Sequence, residues 1–152
     1  MKHYTLSHCA GDKTIDSVHR KQIADAISSV VIKVGPRAAP KIRTQLISNL
    51  KALGWSGEVS VSENSDMTIT STKSDIGLCL QTGNMSRIYA DLMKLQAMYL
   101  NNHIKAAAII LPSQEAAKLL GDNIAQAKRL ERELAIFKKA YHVPTIVYAL
   151  EA

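Results

Sequence analysis

Apolar residues return along the first third of the chain at helical spacing. Val18, Ile23, Ala26, Ile27, Val30 and Val31 form one stripe, with Arg20, Lys21 and Asp25 off it. Asp16 stands ahead of this stripe as an N-cap, and Gly35-Pro36 is the stop signal after it. A second helix is predicted from Pro40, with Ile42, Leu46, Leu50 and Leu53 inward, Lys41, Arg43 and Lys51 outward, and Gly54 closing it. Trp55, the single tryptophan, follows as a core cap.

After Ser56-Gly57 the period becomes two. Glu58–Ser62 and Met67–Thr72 alternate, the polar turns Glu63–Asp66 and Lys73–Asp75 separate them from each other and from Ile76–Gln81, and an antiparallel meander is expected. A helix from about Asn84 to Leu100 turns Ile88, Leu92, Leu95 and Tyr99 inward. The nearly unbroken apolar run Ile104–Leu111, ended by Pro112, reads as a strand covered on both faces. A helix between two such strands favours a parallel, right-handed crossover. Ser113–Leu120 reads as a short helix broken at Gly121. Asp122 then caps a helix with core line Ile124, Ala127, Leu130, Leu134 and Phe137, and Val143–Leu150 is the closing strand. Before Gly11, Tyr4 and Leu6 alternate in an irregular stretch or a short edge strand. This order predicts one mixed α/β domain, with a helical part over 1–57 and a sheet core with helices over 58–152.

Charge adds a direction to this plan. Residues 1–57 carry nine Lys/Arg against three Asp, so the whole net charge of +6 lies there and the remainder is balanced. Such asymmetry suits a face that meets a polyanion, and equally a solvated helical surface. Two cysteines, Cys9 and Cys79, are too few for a disulfide framework, and reduced thiols in a cytoplasmic location are expected. His3, His8 and Cys9 lack the spacing and the fourth ligand of a zinc site. No apolar run approaches the length of a membrane span, so no membrane partner is expected.

Several local motifs fall in a telling order: Leu53-Gly54-Trp55 after a helix, the segment Ile76-Gly77-Leu78-Cys79-Leu80-Gln81-Thr82-Gly83-Asn84, then Ala90-Asp91-Leu92 with Lys94-Leu95, Ile109–Pro112, Asn123-Ile124 and the Val143-Pro144 strand. Together they resemble the restriction endonucleases of the BglII/BamHI type within the PD-(D/E)XK nuclease superfamily. The resemblance implies a mixed sheet flanked by helices. It also implies a symmetric homodimer on double-stranded DNA, and a magnesium site made by an Asp on one strand and Glu-x-Gln on the next. Magnesium prefers carboxylate oxygens, and residues two apart on a strand point the same way.

Laid on this chain, the Asp position falls on Thr70, the Glu position on Cys79 and the Gln position on Gln81. A thiol is a soft ligand and threonine offers one neutral oxygen, so no metal and no cofactor are expected. Asp75, Asp66 and Asp91 are the acids that could rescue a site, although Asp75 stands roughly 13 Å from Cys79 along an extended strand. Lys33, Arg37, Lys41 and Arg43 are the expected phosphate contacts, and Asn84, Ser86 and Arg87 the groove contacts implied by the resemblance. Asn84 has an alternative role as a helix N-cap. The expected function is DNA binding without cleavage, as a regulator or a competitor for sites. The alternatives are a magnesium-dependent endonuclease with rearranged ligands and a protein-interaction module that partners or antagonises a nuclease.

Overall fold

A computed structural model describes residues 1–152, and it is the apolar run after Ile104 that fixes its architecture. This run becomes β6 (Ala106–Pro112), seven residues that are all buried. It lies between β5 (Ile76–Leu80) and β7 (Thr145–Leu150) and is parallel to both. The outer places go to β4 (Ser71–Lys73), antiparallel to β5, and to β1 (His3–His8), antiparallel to β7. The sheet order is therefore β1-β7-β6-β5-β4. The parallel β5–β6 pair is joined through α4 (Arg87–Leu100), as the crossover rule requires.

Alternation along each strand sends side chains to two faces, and each face has its own core. Leu78, Leu80, Ala108, Ile110 and Tyr148 pack beneath α2 (Ser17–Ser28) and α3 (Ala39–Ala52), with Trp55 among them. Cys79, Ile109, Leu111 and Val147 pack on the other face against α4 and α6 (Ala127–Ile136). Two short helices complete the chain, α1 (Gly11–Thr14) and α5 (Gln114–Leu120). Gly11 lies against the backbone of Thr145, so closely that a Cβ there would stand 2.3 Å from the Thr145 carbonyl carbon. β1 pairs with β7 in the central sheet, and α2 and α3 cover one face of that sheet.

Several element boundaries differ from expectation, each for a local reason. Asp16 does cap α2, accepting the His19 N–H at 3.0 Å. The helix nevertheless ends at Ser28, well before Gly35-Pro36. Val30 N–H turns back to the Ile27 carbonyl, and Val31 N–H is taken by the Gln45 side chain. Val31 is 85% exposed and Val18 61%, so neither belongs to the buried stripe. Helix α6 is capped by Gln126, whose Oε1 accepts the Arg129 N–H, and not by Asp122. Phe137 lies beyond its end and is exposed. In α4 the last core position belongs to Met98 rather than Tyr99.

The predicted strand Met67–Thr72 is split at Thr70. Its first half, β3 (Thr68–Ile69), pairs with β2 (Val59–Ser60) in a separate two-stranded sheet, and its second half is β4. A side-chain bond marks the break. Thr70 Oγ1 accepts the Leu80 N–H at 3.0 Å, replacing a ladder carbonyl, and the backbone steps aside there as at a bulge.

Candidate functional site

The break at Thr70 opens a cleft of about 450 Å³ at the C-terminal end of β5. One wall is the first turn of α3, with Pro40 and Arg43, and the opposite wall is α4, with Arg87, Asp91 and Lys94. Thr68, Thr70 and Glu58 close a third side, and the segment Leu80–Gly83 forms the floor. Gln81 continues the ladder of β5, donating its N–H to the Ile110 carbonyl.

Most of the polar groups here already have partners. Gln81 Nε2 donates to Asp91 Oδ2 at 2.8 Å, and Gln81 Oε1 accepts the Gly83 N–H at 3.1 Å. The other Asp91 oxygen lies 3.8 Å from Lys94 Nζ. The Arg43 guanidinium donates through Nη1 to the Leu80 carbonyl, which fixes it at the strand end. Desolvation raises the Asp91 carboxyl above its ordinary value, against the opposing pull of the Gln81 hydrogen bond, Lys94, Arg43 and Arg87.

A raised carboxyl binds its proton more readily in the folded chain than in the unfolded one. Its stabilising share is therefore present below the ordinary value of 3.8 and is lost as pH rises through the raised value. In denaturant melts across that window, wild type should lose stability relative to Asp91→Asn as pH rises, and the difference should level off above it. A difference that does not vary with pH would contradict this electrostatic picture.

Cys79 shares a strand face with Gln81 but does not line the cleft. It is 1% exposed and sits in the core with Ile109 and Val147, where burial pushes its thiol far above the ordinary range. Asp75 is in the exposed β4–β5 turn in a left-handed conformation (φ 63°), and Asp66 is in the exposed β2–β3 connection. Neither borders the cleft. Of the three acids considered as rescuers only Asp91 does, and a second carboxylate, Glu58, joins it.

Lys33, Arg37 and Lys41 are exposed, Lys33 and Arg37 in the connection before α3 and Lys41 in its first turn, and none of them lines the cleft. Asn84 and Ser86 are exposed at the entry to α4. Asn84 Oδ1 accepts both the N–H and the hydroxyl of Ser86 at 2.8 Å, so it closes a local turn while Ser86 takes the cap place without a side-chain cap bond. Arg87 folds over Gly83, its Nη1 3.6 Å from where a Cβ of that residue would stand.

The donors at the cleft do not suit magnesium. The three positions that would face such an ion carry a hydroxyl already accepting an N–H, a sealed neutral thiol and an amide bonded at both ends. Asp91 is committed to Gln81 and Lys94, which leaves Glu58 as the one carboxylate with no partner. A hard divalent ion requires several anionic or carbonyl oxygens converging on one point. Elsewhere, His8 Nε2 lies 2.8 Å from the Tyr141 carbonyl and 3.4 Å from Cys9 Sγ, while the His3 ring lies tilted against Tyr148. No three His, Cys, Asp or Glu side chains are grouped to hold a metal.

The model of restriction endonuclease BamHI matches residues 10–151. The chain belongs to the BamHI restriction endonuclease family. Among solved structures, BglII complexed with a DNA 16-mer superposes with a TM-score of 0.84 at 15% identity, covering 100% of this chain and 77% of that one. Free BglII gives 0.78 at 14% identity, covering 99% of this chain and 79% of that one. At such identity the likeness speaks for the fold: a mixed α/β domain with its sheet flanked by helices. No curated protein matches the sequence.

In this member of the BamHI family, two cleft residues carried no assigned role in the sequence. Lys94 was legible, because it stands three residues after Asp91 and so shares its helix face. Glu58 was not. It begins an alternating stretch like any exposed strand residue, and only the pairing of β2 with β3 carries it to the cleft.

Proposed function

We propose that this chain binds double-stranded DNA without cutting it, acting in the cytoplasm as a regulator or as a competitor for DNA sites. The observation that carries the reading is the character of the cleft: the positions on which the resemblance puts the family's metal ligands are Thr70 and Cys79, and the Cys79 thiol is shut inside the core. The solved complex of BglII with a DNA 16-mer supports duplex DNA as the partner. Lys33, Arg37 and Lys41 are the proposed phosphate contacts and Asn84, Ser86 and Arg87 the proposed groove contacts; all six are exposed. Arg presents a paired donor to guanine, and Asn pairs with adenine in the same way.

A symmetric dimer is part of this proposal. Between α4 and the end of α6 lies an apolar hollow of about 670 Å³ lined by Leu92, Met93, Leu100 and Phe137. Met93 is 75% exposed and Leu100 63%, which leaves an apolar face suited to a second copy.

The test uses wild-type protein on random and plasmid DNA. Gel shifts should give an affinity that falls steeply as salt rises, since phosphate contacts release counterions. Digests with magnesium or manganese should leave the plasmid intact. Cleavage abolished by Asp91→Asn or by Glu58→Gln would instead identify a metal-dependent nuclease with rearranged ligands. Binding that ignores salt would leave a protein-interaction module as the better description.

A further inference from the structure

Resting on the DNA-binding reading, we propose that the cleft receives a phosphodiester group directly, on Arg43, Arg87 and Lys94, with no divalent ion between protein and phosphate.

The cleft is a cationic site in its own right. Arg43, Arg87 and Lys94 line it against Glu58 and Asp91, a net charge of +1. The chain holds four ion pairs, and neither Arg43 nor Arg87 belongs to any of them. Asp91 bonds the Gln81 amide and lies 3.8 Å from Lys94, and it makes no ion pair with either guanidinium group. An unpaired arginine on an exposed surface is ordinary. Two of them converging on one concave site, one with its guanidinium fixed to a strand carbonyl, are not explained by solvation of a surface.

Each group has a distinct part. Arg43 uses Nη1 on the Leu80 carbonyl, and its other N–H groups are left for an acceptor in the cleft. The guanidinium fork matches two phosphate oxygens, and its orientation is set before the ligand arrives. Arg87 is the first residue of a 14-residue helix, so the positive end of the α4 dipole adds to its charge. Lys94, about two turns further along α4, is a point charge beside Asp91. Thr68 and Thr82 line the same walls and carry hydroxyl donors.

A site of this sign has no use for a bridging cation. Where carboxylates crowd a cleft, a phosphate enters only after a metal has reversed the local charge. Here the protein's own cations have already done so.

A labelled random-sequence duplex, titrated with millimolar EDTA or with millimolar magnesium at matched ionic strength, should give dissociation constants equal within about threefold. Arg43→Gln and Arg87→Gln should each weaken binding about tenfold and lower the salt slope by about one, and magnesium should not restore the loss. Tightening by magnesium of tenfold or more would overturn the proposal. So would wild-type affinity in both variants, although DNA binding itself would then stand. Arg87 is exposed, so its variant reads cleanly even if loss of the Arg43–Leu80 bond unsettles the fold. Inorganic phosphate, followed by NMR at the arginine Nε–H signals, tests the site apart from DNA. Saturable shifts at Arg43 and Arg87 are expected, and their absence would refute the site whatever the duplex does.

Discussion

Removing the three exposed charges at the N-terminal end of α3 is expected to cost this protein most of its DNA affinity. Lys33, Arg37 and Lys41 are exposed and lie outside any ion pair that would occupy them. Each phosphate contact contributes roughly 0.9 to the slope of log affinity against log salt. At about 0.1 M salt this amounts to nearly one logarithmic unit per contact, so the triple change to glutamine should weaken binding roughly 500-fold and flatten the slope by nearly three. The folded state should hardly notice, because surface changes of this kind stay within about 0.5 kcal/mol. Anisotropy titrations across salt, set beside thermal melts, separate the two effects. An unchanged slope would mean that the basic helices are simply a solvated face.

The second large effect concerns Cys79. Cys79→Glu places a carboxylate where the resembled family has one, yet in this chain the position is sealed beneath the cleft floor among Ile109, Leu111 and Val147. Charge burial there costs several kcal/mol, and the longer side chain overpacks the site. A loss of about 4 kcal/mol is expected, which for a domain of this size lowers the melting temperature by about 10 °C. Cys79→Ala, which removes only a small group, should cost about 1 kcal/mol. If Cys79→Glu melted within a degree or two of wild type, the position would be open to the cleft. A rearranged metal site would then regain support.

How much of this was legible in the sequence follows from which interactions set each feature. The long apolar run at 104–111 and the shorter ones at 76–80 and 146–150 announced the central strands, because burial on both faces leaves no room for polar residues. Helix ends were less readable. Gly35-Pro36 is a strong stop signal, but α2 ends earlier: the Val30 N–H turns back to the Ile27 carbonyl and the Val31 N–H goes to the Gln45 side chain. Asp122 looks like a cap, yet Ile124 bridges to Asn84 and holds that segment extended until Gln126 takes the cap. Of the residues singled out for a site, Thr70, Gln81, Arg43, Arg87 and Asp91 do meet in one cleft. Asp75 does not. It shares strand parity with Cys79, but the left-handed turn that begins the hairpin removes it from the strand.

Sequence by itself determined the layers of this protein: two basic helices, a buried parallel strand pair joined by an amphipathic helix, and the identity of the groups at 70, 79 and 81. Those features are written in local periodicity and residue type, which act over one or two turns of chain. Only the tertiary structure decided which charges share a site. The strand breaks where the Leu80 N–H goes to Thr70, and the cleft there sets Glu58, just ahead of the second sheet, with Arg43, Arg87 and Lys94. Electrostatic character depends on distances between residues far apart in the chain, and packing alone sets those distances.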